Sequence, residues 1–494
     1  MSETVSALAD AGVAAGDGPL VAEHLSTGSF TDPVSPRLAD FMSASWGEQP
    51  EPSAAPAPPA ARLAARRDQL REHLPAPLPV IVPAGQLSRR SNDQFYPFRP
   101  SSDYVWLTGD QSPAGVLILD PASAAGDVLF VVPPSRRDNG EFWTDAANGE
   151  LWVGRRHSLE ERAEALGITC RPLAELPERL AGIGEAVVSR GVDASIEGLV
   201  ASAGAALDAE LAAVLSELRL VKDEWEIGQL RSAVDATTLG FCDVATLMLG
   251  RPGLTERHVE ATFTSRSRLE GNGVGYHTIA AAGAHATTLH WNRNDGPLGA
   301  GDLLLLDAGV ETQALYTADV TRTFPVSGRF SAMQRRVYGY VLAAQEAGLA
   351  ALRPSADFRE YHRACARVLA AALEDLGVLP VTAAESLQPD CGLHRRWTLC
   401  APGHMMGLDV HDCAKAREAR YLGGPLEAGQ VLTVEPGLYF QANDETIPPE
   451  LRGLGIRIED DVLITADGYE LLSSALPREP DEIETWCADP GRIL

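Results

Sequence analysis

Hydrophobic and polar positions divide the chain into stretches of different texture. Up to residue 35 small and polar residues follow no sustained period, and residues 39–46 read as a short docking helix. The block EPSAAPAPPA at 51–60 holds four Pro and four Ala, the composition of a stiff extended linker. Beyond it, short apolar runs alternate with helical spacing. PVIVPAG (79–85), VLILD (116–120) and VLFVV (128–132) read as strands, and Ser158 with Glu161 forms a capping box that opens a helix towards Leu166.

The texture changes again near Val221. Asp223 with Glu226 marks a helix start, and Ile227, Leu230, Val234, Phe241, Val244 and Met248 then follow near-helical spacing. Strands are predicted at 302–307, 430–435 and 456–464, and helices at 332–351 and 358–376. The expected organisation is therefore a flexible tail and linker (1–60), an α/β domain (61–220) and a second α/β domain (221–494).

Composition removes several classes of function. With 41 Lys and Arg against 68 Asp and Glu, the net charge of −27 argues against binding nucleic acid or an anionic membrane. No apolar run approaches the roughly 18 residues of a membrane helix. No Lys or Arg precedes Arg37, and Glu3, Asp10 and Asp17 interrupt the start, so no secretory leader is expected. The seven cysteines are scattered and form no CxxC pair, which points to a reducing cytoplasm rather than a disulfide framework or a thiolate metal site.

The candidate chemistry lies in the second domain. GDLLLLDAG ends an apolar run on Asp307, and ADVTRTFP sets Asp319 twelve residues later, close enough for a hairpin to bring the two together. GHMMGLDVHD supplies His404 and His411, TVEPGLY sets Glu435 in an apolar run, and GIRIEDD sets Arg457 and Glu459 on one strand face. Singly each has an ordinary reading: an Asp after a strand forms turns, a lone His is a core or surface residue, and Asp460 and Asp461 read as solvated. Jointly they make a hard, oxygen-rich set that stays ionised only beside cations. Two divalent ions about 3.5–4 Å apart meet that need. Mn²⁺, Co²⁺ or Zn²⁺ suit carboxylate plus imidazole.

LLLLDAG, ADVTRTFP, GHMMGLDVHD, TVEPGLY and GLGIRIEDD together resemble aminopeptidase P, the Xaa-Pro aminopeptidases of the pita-bread metallopeptidase family. SNDQFYPFRPSSDYVWLTG (91–109) resembles that family's N-terminal domain. The resemblance implies a pita-bread catalytic domain behind a creatinase-like α/β domain, assembled as a homodimer or homotetramer. It implies hydrolysis of the N-terminal Xaa–Pro bond of peptides with proline at the second position. By motif, Asp307, Asp319, His404, Glu435 and Glu459 match metal ligands, with Glu435 also the proton acceptor. His290 and His411 match histidines beside the scissile peptide, Arg457 an arginine near the prolyl pocket, and Tyr439 a tyrosine behind the site. Asp103 and Trp152 match N-terminal-domain positions that reach the substrate, from this chain or a neighbouring subunit.

One departure stands out. Where the family has His-Gly-x-(Gly/Ser)-His, this chain has Cys400-Ala401-Pro402-Gly403-His404. A thiol donates hydrogen bonds weakly and cannot act as an imidazolium, so altered turnover or substrate range is expected. The rival readings are a prolidase restricted to dipeptides, a non-catalytic homologue, and an enzyme for a specialised proline-like substrate.

Overall fold

The computed structural model describes residues 35–47, 52, 55–92, 94–123, 126–137 and 140–492. Residues 1–34 of the expected tail, and residues 48–51, 53 and 54 at and within the Pro/Ala linker, lie outside the described residues. The chain divides into two compact units, Met1–Leu211 and Ala212–Leu494.

In the first unit, helix α1 (Pro36–Ser43) starts three residues before the predicted 39–46 and stops sooner. The reason is local: the Ser35 hydroxyl accepts from the Leu38 amide, and Pro36 occupies the first helical position, where its missing N–H costs nothing. Four buried strands follow from apolar runs: β1 (Val80–Pro83), β2 (Val116–Leu119), β3 (Val128–Val131) and, after β4 (Thr169–Pro172), β5 (Val187–Val188). They form one mixed sheet in the order β4-β3-β2-β1-β5, antiparallel at its centre and parallel at both edges. Ile81, Ile118, Val128, Phe130 and Val188 fill its core with Leu173 and Leu176. Helix α2 (Leu159–Leu166) opens on the predicted Ser158–Glu161 capping box.

The second unit opens with α3 (Glu224–Met248), capped by Asp223 and Glu226 as predicted, followed by α4 (Glu256–Glu270). Strands β6 (Ile279–Ala282), β7 (Leu303–Ala308) and β8 (Val320–Pro325) form an antiparallel sheet in the order β8-β7-β6. Its four consecutive leucines are almost fully buried, each worth about 1.5–3 kcal/mol of transfer free energy, and they lock the register that faces Asp307 with Thr321. Helices α5 (Ala332–Ala351) and α6 (Phe358–Asp375) then pack against β9 (Val431–Val434), β10 (Gly437–Phe440), β11 (Leu454–Arg457) and β12 (Asp460–Ile464).

The strand predicted at 456–464 is two strands. Its first half pairs with β10 and its second with β9, so the chain changes partners at Ile458 and Glu459. That break leaves Glu459 bridged to Thr321 of β8, which joins the two halves of the unit at one point. Among the described residues, no helix is long and apolar enough to cross a membrane.

Candidate metal centre

Each candidate ligand stands at the end of a strand or in a loop tied to one. Asp307 is near the end of β7 and Asp319 immediately precedes β8. The antiparallel register brings them close enough for the Tyr276 hydroxyl to donate to both, at 2.7 Å and 2.6 Å. Glu435 follows β9, with its amide donating to the Pro402 carbonyl at 3.0 Å. His404 is joined to the same strand: its amide donates to Thr433 Oγ1 (3.1 Å), and the Thr433 amide donates to its carbonyl (2.9 Å). Gly403 makes this approach possible. Its φ is +148°, and a Cβ there would lie 2.1 Å from the Thr433 carbonyl oxygen.

The ligand atoms converge. His404 Nε2 lies 3.4 Å from Asp319 Oδ2 and 3.4 Å from Glu435 Oε1. Asp319, His404 and Glu459 each offer a ligand atom within 4.8 Å of the others. His404 Nδ1–H donates to the Met405 carbonyl at 3.1 Å, which fixes the tautomer that turns Nε2 towards the carboxylates. Beneath them, the Thr321 hydroxyl donates to Glu459 Oε2 (2.6 Å) and accepts from Arg457 Nε (3.1 Å). Arg457 also donates to the Tyr439 hydroxyl (2.9 Å) and pairs with Asp307.

Four carboxylates, three buried and Glu435 partly so, outnumber the chain's own cations here. Burial first, and then Asp319 and Asp307, push Glu435 up to about 7, against the pull of His404 and Arg457. Burial and the neighbouring carboxylates push Glu459 well above the ordinary range, and Asp307 rises in spite of Arg457. For His404, burial works downward but Asp319 and Glu435 outweigh it and raise the ring to about 9. A hard divalent cation is what this donor set lacks: carboxylate oxygens plus one imidazole nitrogen fit such an ion, and it relieves the mutual repulsion.

Around this centre, the His411 ring lies edge-on to His404 with centroids 4.3 Å apart. Burial, then His404 and His290, hold His411 below its usual range, so it stays neutral near pH 7. His290 is exposed on the loop after β6. Cys400 is exposed, and partial desolvation of the thiol followed by Glu435 raises it. Asp103 and Trp152 belong to the first unit. There Asp103 accepts from Ser189 Oγ (3.4 Å), and Trp152 Nε1 donates to the Trp143 carbonyl (2.9 Å).

Asp460 and Asp461 correct the expectation of solvated carboxylates, for both are fully buried. Asp460 pairs with the buried Arg322 at 2.6 Å, and Asp461 accepts from the Asp319 amide at 3.1 Å, so the acidic triplet faces two interiors. Sequence reasoning also missed Tyr276, Thr321 and Thr433. None carries a charge or a spacing signal, and each matters through a hydroxyl whose partner is distant in sequence.

Comparison with known proteins agrees with this geometry. Residues 228–466 match Metallopeptidase family M24, and residues 63–188 match the aminopeptidase P N-terminal domain. Over 458 residues the chain is 51% identical to Xaa-Pro aminopeptidase 1 of Streptomyces coelicolor, covering 92% of each. It is 33% identical to the Xaa-Pro aminopeptidase of Escherichia coli, covering 85% of this chain and 96% of that one. Among solved structures, aminopeptidase PepP of Pseudomonas aeruginosa superposes with a TM-score of 0.78 at 28% identity, covering 88% and 99%. Aminopeptidase P of E. coli with the inhibitor Pro-Leu gives 0.77 at 30% identity, covering 89% and 100%. The fold is accordingly the expected pita-bread unit with a creatinase-like N-terminal unit. The chain is a metallo-aminopeptidase belonging to the Xaa-Pro aminopeptidase (aminopeptidase P) family of M24 metallopeptidases.

Proposed function

We propose that the protein hydrolyses the N-terminal Xaa–Pro bond of peptides, with two divalent ions, Mn²⁺ by preference, held by Asp307, Asp319, His404, Glu435 and Glu459. The observation that carries this reading is the convergence of His404 Nε2 on Asp319 and Glu435 within a cluster short of positive charge. In this reading residues 221–494 are the catalytic domain, 61–220 the creatinase-like domain, and 1–60 a flexible tail and linker. The enzyme works in the cytoplasm as a homodimer or homotetramer. When bound, the ions supply Lewis acidity and an acidified water.

The chain's own residues divide the remaining work. Glu435 takes the proton released by the attacking water and delivers it to the prolyl nitrogen, which needs it to leave. His411 donates a hydrogen bond to the oxygen on which charge develops, and His290 hydrogen-bonds near the scissile peptide. Arg457, held by Thr321 and Tyr439, borders the prolyl pocket. Such a pocket must read ring shape, because the Xaa–Pro amide has no N–H to offer and a fixed φ. Asp103 and Trp152, from this chain or a neighbouring subunit, are the residues proposed for the substrate amine and pocket. Cys400 lines the substrate side where a family histidine would stand, and its thiol gives a weaker donor.

Assay of the Mn²⁺-loaded protein on an Xaa-Pro-Yaa tripeptide, with Asp319→Ala as control, tests the proposal. Cleavage that depends on Asp319 supports it. Cleavage of Xaa-Pro dipeptides alone favours a prolidase, and no cleavage of either contradicts it.

A further inference from the structure

Glu256, the first residue of α4, is fully buried and accepts four hydrogen bonds from one stretch of chain. Its Oε1 accepts from the Ala282 amide (2.8 Å) and from His285 Nδ1 (2.8 Å). Its Oε2 accepts from Trp291 Nε1 (2.9 Å) and the Gly296 amide (2.7 Å). The Glu256 amide donates to the Gly296 carbonyl at 2.9 Å. The start, middle and end of the loop that joins β6 to β7 thus meet on one carboxylate.

The loop is packed around that point. The His285 and Trp291 rings stack with centroids 3.9 Å apart. Gly296 is the residue that fits beside them, since a Cβ there would lie 2.5 Å from His285 Cε1 and 3.0 Å from Glu256 Oε2. At the far side, Asn294 accepts from the Ala280 amide (3.0 Å) and donates to the Thr278 carbonyl (2.9 Å). His290 stands next to Trp291 and is exposed, so its own burial does not fix it. Its carbonyl accepts from the Asn292 amide (3.0 Å), and its neighbour is the anchored Trp291.

We propose that Glu256 is a positioning residue: through Trp291 and His285 it sets where the His290 imidazole stands relative to the metal centre. This deepens the functional reading above and rests on it for the role of His290. The carboxylate matters because all its partners are donors. A glutamine keeps the shape but turns an amide N–H₂ towards donors, so at least one anchor must let go.

The test is a double-mutant cycle in the full-length, Mn²⁺-loaded protein. Glu256→Gln is expected to lower kcat/KM on an Xaa-Pro-Yaa peptide about tenfold to hundredfold with metal content unchanged, the scale of a small displacement of a group near the reacting bond. In the His290→Ala background the same change is expected to have less than about a threefold effect, because its route is already gone. Equal factors in both backgrounds mean general structural damage and overturn the proposal. If Glu256→Gln does not fold, Trp291→Phe keeps an aromatic ring against His285, removes one anchor and runs through the same cycle. A readout independent of turnover separates this inference from the functional one. The His290 imidazole NMR signal, assigned by its loss in His290→Ala, is expected to shift in Glu256→Gln and Trp291→Phe. An unmoved signal overturns the positioning role whatever the peptide assay gives.

Discussion

Two charge clusters meet where β8 and β12 begin and differ in whether their charges balance. On one side of β8 and β12, Arg322 directs its guanidinium to Asp460 (2.6 Å) and to the carbonyls of Glu459 (2.7 Å), Pro477 (2.9 Å), Thr321 (3.0 Å) and Leu476 (3.1 Å). Asp460 also accepts from Ser473 (2.6 Å) and Gln345 (2.8 Å). On the other side, Asp307, Asp319, Glu435 and Glu459 share Arg457 and His404. The first cluster meets its own needs and acts as a brace. The second is held in place with a deficit of positive charge, and that deficit makes it a receptor for cations. The carbonyl of Glu459 belongs to the brace and its carboxylate to the receptor, so the brace also aims the ligand.

The largest expected break in this contrast comes from the receptor side. Asp319→Ala should reduce hydrolysis of an Xaa-Pro-Yaa peptide to background, measured as kcat/KM, while thermal unfolding stays cooperative. Breaking the brace should do the reverse. Arg322→Met leaves the buried Asp460 only the more distant Arg478 (3.7 Å) as a cation and should destabilise the second unit by about 3 kcal/mol in denaturant unfolding. The fraction still folded should bind metal with normal stoichiometry.

How far this contrast was legible in the sequence depends on what each residue answers to. The meeting of Asp307, Asp319, His404, Glu435 and Glu459 was readable because carboxylates at the ends of apolar runs are costly without a partner, and because five such motifs occurred in a known order. The long helices and the paired strands β7 and β8 followed from spacing and caps. The brace was not readable. Asp460 and Asp461 look like a solvated acidic run until strand pairing sends one residue to each side. The break at Ile458 was hidden for the same reason: 456–464 alternates like one strand, and only its two different partners divide it. Tyr276 and Glu256 gave no signal because their partners lie about thirty residues or more away in sequence.

Smaller effects sharpen the comparison. With chelator present, Glu435 is raised from 4.5 to about 7 and His404 from 6.5 to about 9. A raised folded pKa stabilises fully below the unfolded value and is lost as pH rises through the folded one. The chelated protein should therefore lose thermal stability steadily between about pH 5 and 9, and saturating Mn²⁺ should flatten that decline. The smallest change expected is at the rim. Cys400→His should raise kcat/KM for proline peptides severalfold with metal content unchanged, and an unchanged kcat/KM would show the position to be neutral.

The central claim is that the unbalanced cluster is a cation receptor, and metal stoichiometry tests it most directly. The protein is dialysed against Mn²⁺, freed of loose ions and analysed for bound metal per chain. The account predicts two divalent ions per chain, with both lost or one retained in Asp319→Ala. Fewer than one ion per chain in the unmodified protein would contradict it.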